Sequence, residues 1–274
     1  MKTSALFILT TAVALAPCSF SNDAPIIPGT KWQVHDQKRP QPEVVTPGRP
    51  STQEKAGTAP SDAVVLFNGK DLSAWKNVFG GGDAKWRTAG DFVEAVPGAG
   101  GITTRAKFGP DVQLHLEFAT PPPQGESQGR GNGGVFFFGR YEIQILDSYN
   151  NPTYPDGQAA AIYGQSPPLV NASLPPGQWQ TYDIVFNGPR FKDKKLETPA
   201  YVTIFHNGVL VQNHTRLIGN TPHGAIGKYE PHDEKGELSL QEHGNPTRFR
   251  NIWIRELKPL DGEVTSPSSS PTAP

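Results

Sequence analysis

The sequence of 274 residues contains a single cysteine, Cys18, which lies in the amino-terminal segment. Cleavage of that segment after Ser21 would leave a mature chain without any thiol. Stability would then not depend on disulfide bonds, and neither thiol catalysis nor a cysteine-ligated zinc site would be available.

The sequence also lacks an excess of charge of either sign. Its 25 basic and 26 acidic residues give a formal net charge of −1. Attraction to nucleic acid or to an anionic membrane surface requires a strong basic excess, so we expect neither as a partner. We expect no transmembrane segment in the mature chain, because the apolar run of residues 5–16 is too short to span a bilayer.

Residues 1–21 have the features of a secretory signal, in which Lys2 precedes a compact apolar run and several small residues. Ser21 ends one small-residue cleavage site. Ala16 ends another, but Pro17 directly after it should hinder cleavage there. The residues before Cys18 distantly resemble a lipoprotein acylation site, so lipid anchoring stays open. The segment predicts export to the periplasm, the cell surface or the extracellular space.

The rest of the chain divides into three segments by composition. Residues 22–60 are polar and contain seven prolines, which predicts a linker or arm. Residues 61–260 carry the strand patterns and are expected to form the catalytic domain. Residues 261–274 are rich in serine and proline and are expected to be disordered.

No apolar stripe of useful length occurs at helical spacing, whereas glycine and proline are frequent. Short alternating stretches are separated by Gly, Pro, Asn and Asp clusters, as in antiparallel sheets. In residues 112–118 the alternation places Leu114, Leu116 and Phe118 inward, and Asn207-Gly208 is typical of a hairpin turn. The pattern predicts an all-β fold, a two-sheet antiparallel β-sandwich with the jelly roll as the leading topology.

Residues 133–148 are expected to form one long strand. From Arg140 onward the polar side chains Arg140, Glu142 and Gln144 share one face. Leu146 interrupts the alternation as a bulge would, which could turn Asp147 onto the same face. Burying such a row of polar side chains costs free energy unless the row faces water or a ligand. It indicates a carbohydrate site, with a solvated face and an Arg–Glu pair as the alternative.

Two other strands are expected to extend this polar face, one with Gln113, His115 and Glu117 and one over residues 248–255. The loop of residues 150–158 would form the rim of the groove. There Tyr154 could stack on a sugar ring while Asp156 and Gln158 bond its hydroxyls. The alternative is a turn that satisfies only its own backbone.

Histidines offer proton-transfer and metal-binding groups. His243 lies in a turn between Glu242 and Asn245, where an imidazole can titrate near neutral pH, although a bond to a backbone carbonyl would also explain it. His115 and Glu117, with Glu142 and His243, are candidate ligands for a divalent metal. A cross-strand charge pair is the other explanation, and the cofactor is otherwise unknown. Surface positions are expected for His206, His214, His223 and His232.

The spacing Glu142-x-Gln144-x-x-Asp147 resembles the Glu-x-Asp-x-x-Glu pattern of laminarinase- and lichenase-type glycoside hydrolases. In those enzymes the first acid is the nucleophile and the last is the general acid. Gln144 replaces the middle aspartate and Asp147 is one methylene shorter than glutamate. Both departures count against ordinary retaining hydrolysis.

Taken together, the motifs resemble the 3-keto-disaccharide hydrolase family. The matching segments are 66–75, 139–148, 178–186, 205–209 and 243–257. The resemblance implies a concanavalin- or laminin-G-like sandwich, bacterial export, and cleavage of glycosidic bonds in 3-keto-glycosides and 3-keto-disaccharides. Gly133 departs from the family pattern Gly-Asn-Ser-Gly, which usually has serine at that position.

The implied chemistry begins at a ketone on sugar C3, which acidifies the hydrogen on C2. A base removes that hydrogen, the group on C1 leaves, and water adds back, so the outcome is hydrolysis or elimination plus hydration. Arg140 could stabilise the enolate, although a chelated metal would do so better. Glu142 or His243 could be the base and Asp147 the acid. The expected sugar-binding residues are Gln144, Tyr154, Asp156, Gln158 and Asn245.

Two other functions remain open at this point. The same groove could belong to a non-catalytic carbohydrate-binding module, or to a laminarinase-like retaining hydrolase acting on unoxidised glucans.

Overall fold

The computed structural model describes residues 24–258. The predicted secretory signal and the predicted tail of residues 261–274 lie outside these described residues. Residues 44–258 form one compact unit, and residues 24–43 belong to a second, in which a backbone bridge joins Ile26 to Gln33. Within residues 24–258 no helix has the length and hydropathy needed to cross a membrane.

Between residues 24 and 258 the chain forms fifteen strands and two short 3₁₀ helices. The strands are β1 (Val64–Phe67), β2 (Trp75–Asn77), β3 (Arg87–Ala89), β4 (Phe92–Glu94), β5 (Ile102–Thr104), β6 (Asp111–Ala119), β7 (Gly133–Phe137), β8 (Tyr141–Ile145), β9 (Gln180–Asn187), β10 (Arg190–Lys192), β11 (Lys195–Thr198), β12 (Tyr201–His206), β13 (Val209–Arg216), β14 (Leu238–Leu240) and β15 (Arg248–Glu256). The 3₁₀ helices span Ser127–Gly129 and Pro155–Gly157.

Two antiparallel sheets account for most of these strands. The larger has the order β13-β12-β9-β6-β15-β4-β3, with β1 also paired to β15. The smaller has the order β2-β5-β14-β7-β8, and β10 pairs with β11 as a separate hairpin. The prediction of an all-β antiparallel sandwich is confirmed.

Alternate side chains of each sheet fill the space between them, as the period of two requires. On β6 the inward residues Leu114, Leu116 and Phe118 are fully buried. Across the core, the ring of Phe137 on β7 stacks on Phe186 of β9 with centroids 4.3 Å apart. The hydroxyl of Tyr182 on β9 donates to the Gln144 carbonyl on β8 over 2.9 Å. These contacts fix the backbone of β8 against the larger sheet.

The structure corrects the expectation of one long strand over residues 133–148. The segment is instead a hairpin, in which β7 and β8 pair from Gly133 opposite Ile145 to Phe137 opposite Tyr141. Phe138 and Gly139 occupy the left-handed region, with φ of 58° and 64°, and reverse the chain. β8 then ends at Ile145, before the position where a bulge was expected.

A segment that precedes β1 lies on the outer face of the larger sheet. The arginine of β15, Arg250, donates to the carbonyl of Thr52 and through Nε to Glu117 Oε2 over 2.7 Å. The hydroxyl of Ser51 donates to Glu117 Oε1, and Asn251 Nδ2 donates to the same oxygen over 2.8 Å. Glu117 and Arg250 are therefore buried although their side chains point away from the core. We call these five residues the Glu117 network.

The network is ionised over a wide pH range. Burial opposes the charge on Glu117, but hydrogen bonds from His115, Ser51, Asn251 and Arg250 outweigh it and lower its pKa to about 2. Burial likewise opposes charge on the neighbouring His115, but hydrogen bonds to Asp183 and Glu117 raise its pKa to about 9. The stability from Glu117 is present above pH 4.5 and is lost as the pH falls toward 2. That from His115 is present below pH 6.5 and is lost as the pH rises through 9.

Replacement of Glu117 by glutamine should destabilise the sandwich, because Arg250 would stay buried without its countercharge. Breaking one side of a buried pair costs roughly 3–5 kcal/mol, measurable as the free energy of unfolding in urea. Asp83→Asn is the control, since Asp83 forms an exposed ion pair with Arg105. A loss below about 1 kcal/mol, equal to that of an exposed pair, would contradict the assigned role.

Candidate active site

The outer face of the smaller sheet carries a cavity of about 220 Å³ above the β7–β8 hairpin. Glu142 and Gln144 of β8 point into it, on the face opposite the buried Tyr141, Ile143 and Ile145. We call this cavity the Glu142 pocket. Its lining comprises Asn132, Phe136, Glu142, Gln144, Tyr163, Thr221, His223, Gln241 and His243.

The Glu142 carboxyl is 5% exposed and has no cationic partner among the described residues. Burial alone raises its pKa to about 8, so it is mainly protonated at neutral pH. Gly134 of β7 makes this burial possible. A Cβ at that position would collide with Glu142 Oε1 and would lie 2.9 Å from the Phe136 ring.

The side-chain amide of Gln144 lies against Glu142. One end of the amide is 3.1 Å from Glu142 Oε1 and 3.0 Å from the Gly133 carbonyl oxygen. Because both of these oxygens can accept, the amide nitrogen lies at this end and donates to them. A protonated carboxyl still accepts through its carbonyl oxygen, so the contact suits the neutral form of Glu142.

The structure brings two imidazoles into the pocket, those of His243 and His223. His223 is exposed, as expected, and its imidazole also lines the pocket. The expected surface position of His206 is wrong, because that side chain is buried.

The Nδ1 of His223 lies 2.8 Å from the hydroxyl of Tyr163. The loop that carries His223 is held at its base by Asn220, whose N–H donates to the Lys228 carbonyl over 3.1 Å and whose Oδ1 accepts the Lys228 N–H over 2.9 Å.

Arg140 does not line the Glu142 pocket. The residue belongs to the turn before β8, so the alternation that was expected to align it with Glu142 and Gln144 does not extend to it. Its guanidinium lies 3.5 Å from Glu230 and lines a neighbouring cavity. The structure therefore separates Arg140 from the groups that it was expected to assist.

Asp147 is 1% exposed and is committed to an ion pair. Arg130 donates to its Oδ2 through both Nε, over 2.9 Å, and Nη2. The N–H of Tyr149 donates to its other oxygen over 3.2 Å. Both carboxylate oxygens of Asp147 already accept hydrogen bonds, and Asp147 does not line the Glu142 pocket, so the structure does not place it to donate a proton there. Retaining hydrolysis by Glu142 and Asp147 loses its basis for the same reason.

Of the three residues expected at the rim of the site, Tyr154 lies beside the pocket, whereas Asp156 and Gln158 do not line it. The Tyr154 hydroxyl lies 3.2 Å from that of Tyr163, which places Tyr154 beside the pocket. Asp156 accepts the Gly164 N–H through its backbone carbonyl, and Gln158 donates to the Asn151 carbonyl over 3.3 Å. Neither Asp156 nor Gln158 lines the pocket, so this part of the loop mainly satisfies its own backbone.

Asn245 is a positioning residue rather than a sugar contact. Its Oδ1 accepts the Gly131 N–H over 3.0 Å, and its Nδ2 donates to the His243 carbonyl over 2.9 Å. These bonds hold the turn that presents His243.

The four predicted metal ligands do not form one group: Glu142 and His243 share the Glu142 pocket, but His115 and Glu117 are not part of it. His115 and Glu117 lie on β6 in the larger sheet, while Glu142 lies on β8 in the smaller one. A sandwich has two outer faces, one on each sheet. Strand alternation predicts that these side chains point outward, but it does not predict which of the two sheets each strand joins. His115 instead bonds Asp183 over 2.7 Å. In the part of the chain that the structure describes, no group of three or more carboxylate, imidazole or thiol side chains could hold a metal.

Replacement of Glu142 by glutamine should stabilise the protein increasingly as the pH rises. A raised carboxyl pKa contributes stability below pH 4.5 that is lost as the pH rises through 8. Glutamine escapes that loss, which is on the order of 4 kcal/mol for a shift of this size. Urea unfolding of both proteins at pH 5 and pH 8.5 measures the difference. An equal stability difference at the two pH values would refute the raised pKa.

Comparison with known proteins places this geometry in a family. Residues 62–255 match the model of the 3-keto-alpha-glucoside-1,2-lyase-like domain. A candidate glycosyl hydrolase from Parabacteroides distasonis is 44% identical, with 85% of this chain and 100% of that chain covered and a TM-score of 0.77. A second candidate glycosyl hydrolase from that organism, 22% identical with a TM-score of 0.52, covers 72% and 94% of the respective chains and shows the shared fold.

A curated relative from Bacteroides thetaiotaomicron carries the name 3-keto-disaccharide hydrolase. It is 22% identical over an alignment of 239 residues that covers 71% of this chain and 78% of the relative. The resemblance inferred from the motifs is confirmed, because the family model matches more than half of the sequence. The chain belongs to the 3-keto-alpha-glucoside-1,2-lyase-like domain family.

Proposed function

We propose that this protein is an exported enzyme that cleaves the glycosidic bond of 3-keto-glycosides in the Glu142 pocket. The observation that carries this function is a buried, protonated carboxyl beside two imidazoles in one cavity. A proton donor and a proton acceptor are what elimination across C1 and C2 requires. Family membership and the name of the curated relative support the same substrate class.

His223 is the base in this reaction. Burial and the adjoining Tyr154 hydroxyl raise the pKa of Tyr163, so that its hydroxyl stays protonated. It can then donate a hydrogen bond to Tyr154 while accepting one from the N–H of His223 Nδ1. This arrangement leaves the lone pair on His223 Nε2, which removes the hydrogen from C2 of the sugar.

Glu142 is the acid. The electron pair from the C2–H bond first forms an enolate at the C3 oxygen, and donors on His243 and Gln241 line the same cavity. When that pair forms the C1–C2 double bond, the C1–O bond breaks and the C3 ketone returns. Glu142 gives its proton to the departing oxygen. Addition of water to C1 and return of a proton to C2 yield the free 3-keto sugar.

The acid role predicts how Glu142→Gln depends on the leaving group. Turnover of a 3-keto disaccharide should fall by roughly 10²–10⁴, since a sugar alkoxide leaves poorly without a proton. A 3-keto nitrophenyl glycoside should lose much less, because nitrophenolate needs no protonation. Glu256→Gln, which alters an ion pair with Lys235 on the larger sheet, is the control. Equal losses on both substrates would exclude the acid role, and absence of wild-type turnover would favour a binding module.

If His223 is the base, removal of the C2 hydrogen can be observed separately from protonation of the leaving oxygen by Glu142. In D₂O, Glu142→Gln should still exchange the C2 hydrogen of a 3-keto glycoside, because His223 is intact. His223→Ala should abolish that exchange, observed by proton NMR. Wild-type-like exchange in His223→Ala would overturn the assignment and leave His243 as the base.

A further inference from the structure

A second concavity, of about 430 Å³, adjoins the Glu142 pocket. We call it the Arg140 pocket. Phe136 and Thr221 line both concavities, so the two lie side by side. The remaining lining of the Arg140 pocket is Phe138, Gly139, Arg140, Asn220 and Pro222. Its volume lies within the range of about 300–1,000 Å³ that is typical of small-molecule sites.

Thr221 fixes the boundary between the two pockets. Its hydroxyl accepts the N–H of Glu142 over 3.0 Å and donates to the Arg140 carbonyl over 3.1 Å. Arg140 and Glu142 are two residues apart, roughly 6.5 Å along extended backbone. A ligand of two linked rings can therefore reach both pockets at once.

The Arg140 pocket combines aromatic surface with free hydrogen-bond donors. Phe136 and Phe138 are half-buried, and Phe138 is held edge-on against Phe186 with centroids 5.6 Å apart. Among residues 24–258 the Arg140 guanidinium has one ion-pair partner, Glu230, so most of its five N–H groups are available. Glu230 also lies 3.4 Å from Lys228, so it provides a countercharge for both Arg140 and Lys228. This chemistry suits a neutral ring with apolar C–H faces and several hydroxyls.

We propose that the Arg140 pocket binds the leaving unit of the substrate, a neutral hydroxyl-rich sugar ring joined through the oxygen that Glu142 protonates. This inference rests on the proposed function, which places the oxidised ring over Glu142 and His223. Arg140 is then a residue for substrate binding, distant from the enolate that it was first expected to stabilise.

Steady-state kinetics of the wild type and Arg140→Ala on two substrates test this subsite. On a 3-keto disaccharide, Arg140→Ala should raise KM about tenfold or more with kcat little changed, as loss of a charged hydrogen bond implies. On the methyl 3-keto glycoside, which has no second ring, KM should change less than twofold. Arg87→Ala, which removes an exposed arginine on the larger sheet, is the matched control.

Equal effects on both substrates would overturn the subsite and return Arg140 to the reaction centre. If the wild type turned over neither substrate, the proposed function would fail, and saturation-transfer NMR with the unoxidised disaccharide would decide the subsite alone. Contacts to the second ring that disappear in Arg140→Ala support it, and contacts that persist unchanged overturn it.

Discussion

Burial of the Glu142 carboxyl without a countercharge is the constraint on which the site depends. Desolvation disfavours the ionised form, and no cationic side chain in the described part of the protein compensates for it. The geometry behind this burial is simple. Gly134 leaves room for the carboxyl over the neighbouring strand, and Tyr182 holds the β8 backbone from below. Burying this carboxyl lowers the stability of the folded protein as the pH rises, but it keeps Glu142 protonated at neutral pH.

The two outer faces of the sandwich show how surroundings decide the behaviour of a carboxyl group. Glu117 is as buried as Glu142, yet its pKa falls to about 2 because Arg250, Asn251 and Ser51 donate to it. That carboxylate binds a segment of the chain to the larger sheet. On the smaller sheet Glu142 has no cationic donor among residues 24–258, and the space above it stays open. One buried acid is structural and the other is available for proton transfer.

Much of the fold follows from local patterns in the sequence. Alternation around Leu114 and Leu116 sets the strand and its buried face, and Asn207-Gly208 occupies the predicted turn with both residues at positive φ. Alternation alone also identifies Glu142. It misplaces Arg140, because Phe138 and Gly139 reverse the chain where alternation predicts a continuous strand. The position of Arg140 depends on a two-residue reversal that side-chain alternation does not reveal.

The rest of the site depends on long-range contacts that no local pattern encodes. His223 enters the pocket because its loop is pinned to β8 by Thr221, 79 residues away in sequence from Glu142. Asp147 pairs with Arg130 across the β7–β8 hairpin, which its own segment does not predict. The contact of Thr52 with Arg250 spans 198 residues and joins a segment without periodicity to the last strand.

The most direct test is the titration of the Glu142 carboxyl itself. Carbon-13 NMR of protein labelled at the glutamate carboxyl carbons, compared with Glu142→Gln, isolates the signal of this one residue. The account predicts a carboxyl resonance that titrates near pH 8 and is absent from the variant. A wild-type spectrum in which every glutamate has ionised below pH 5 would contradict it.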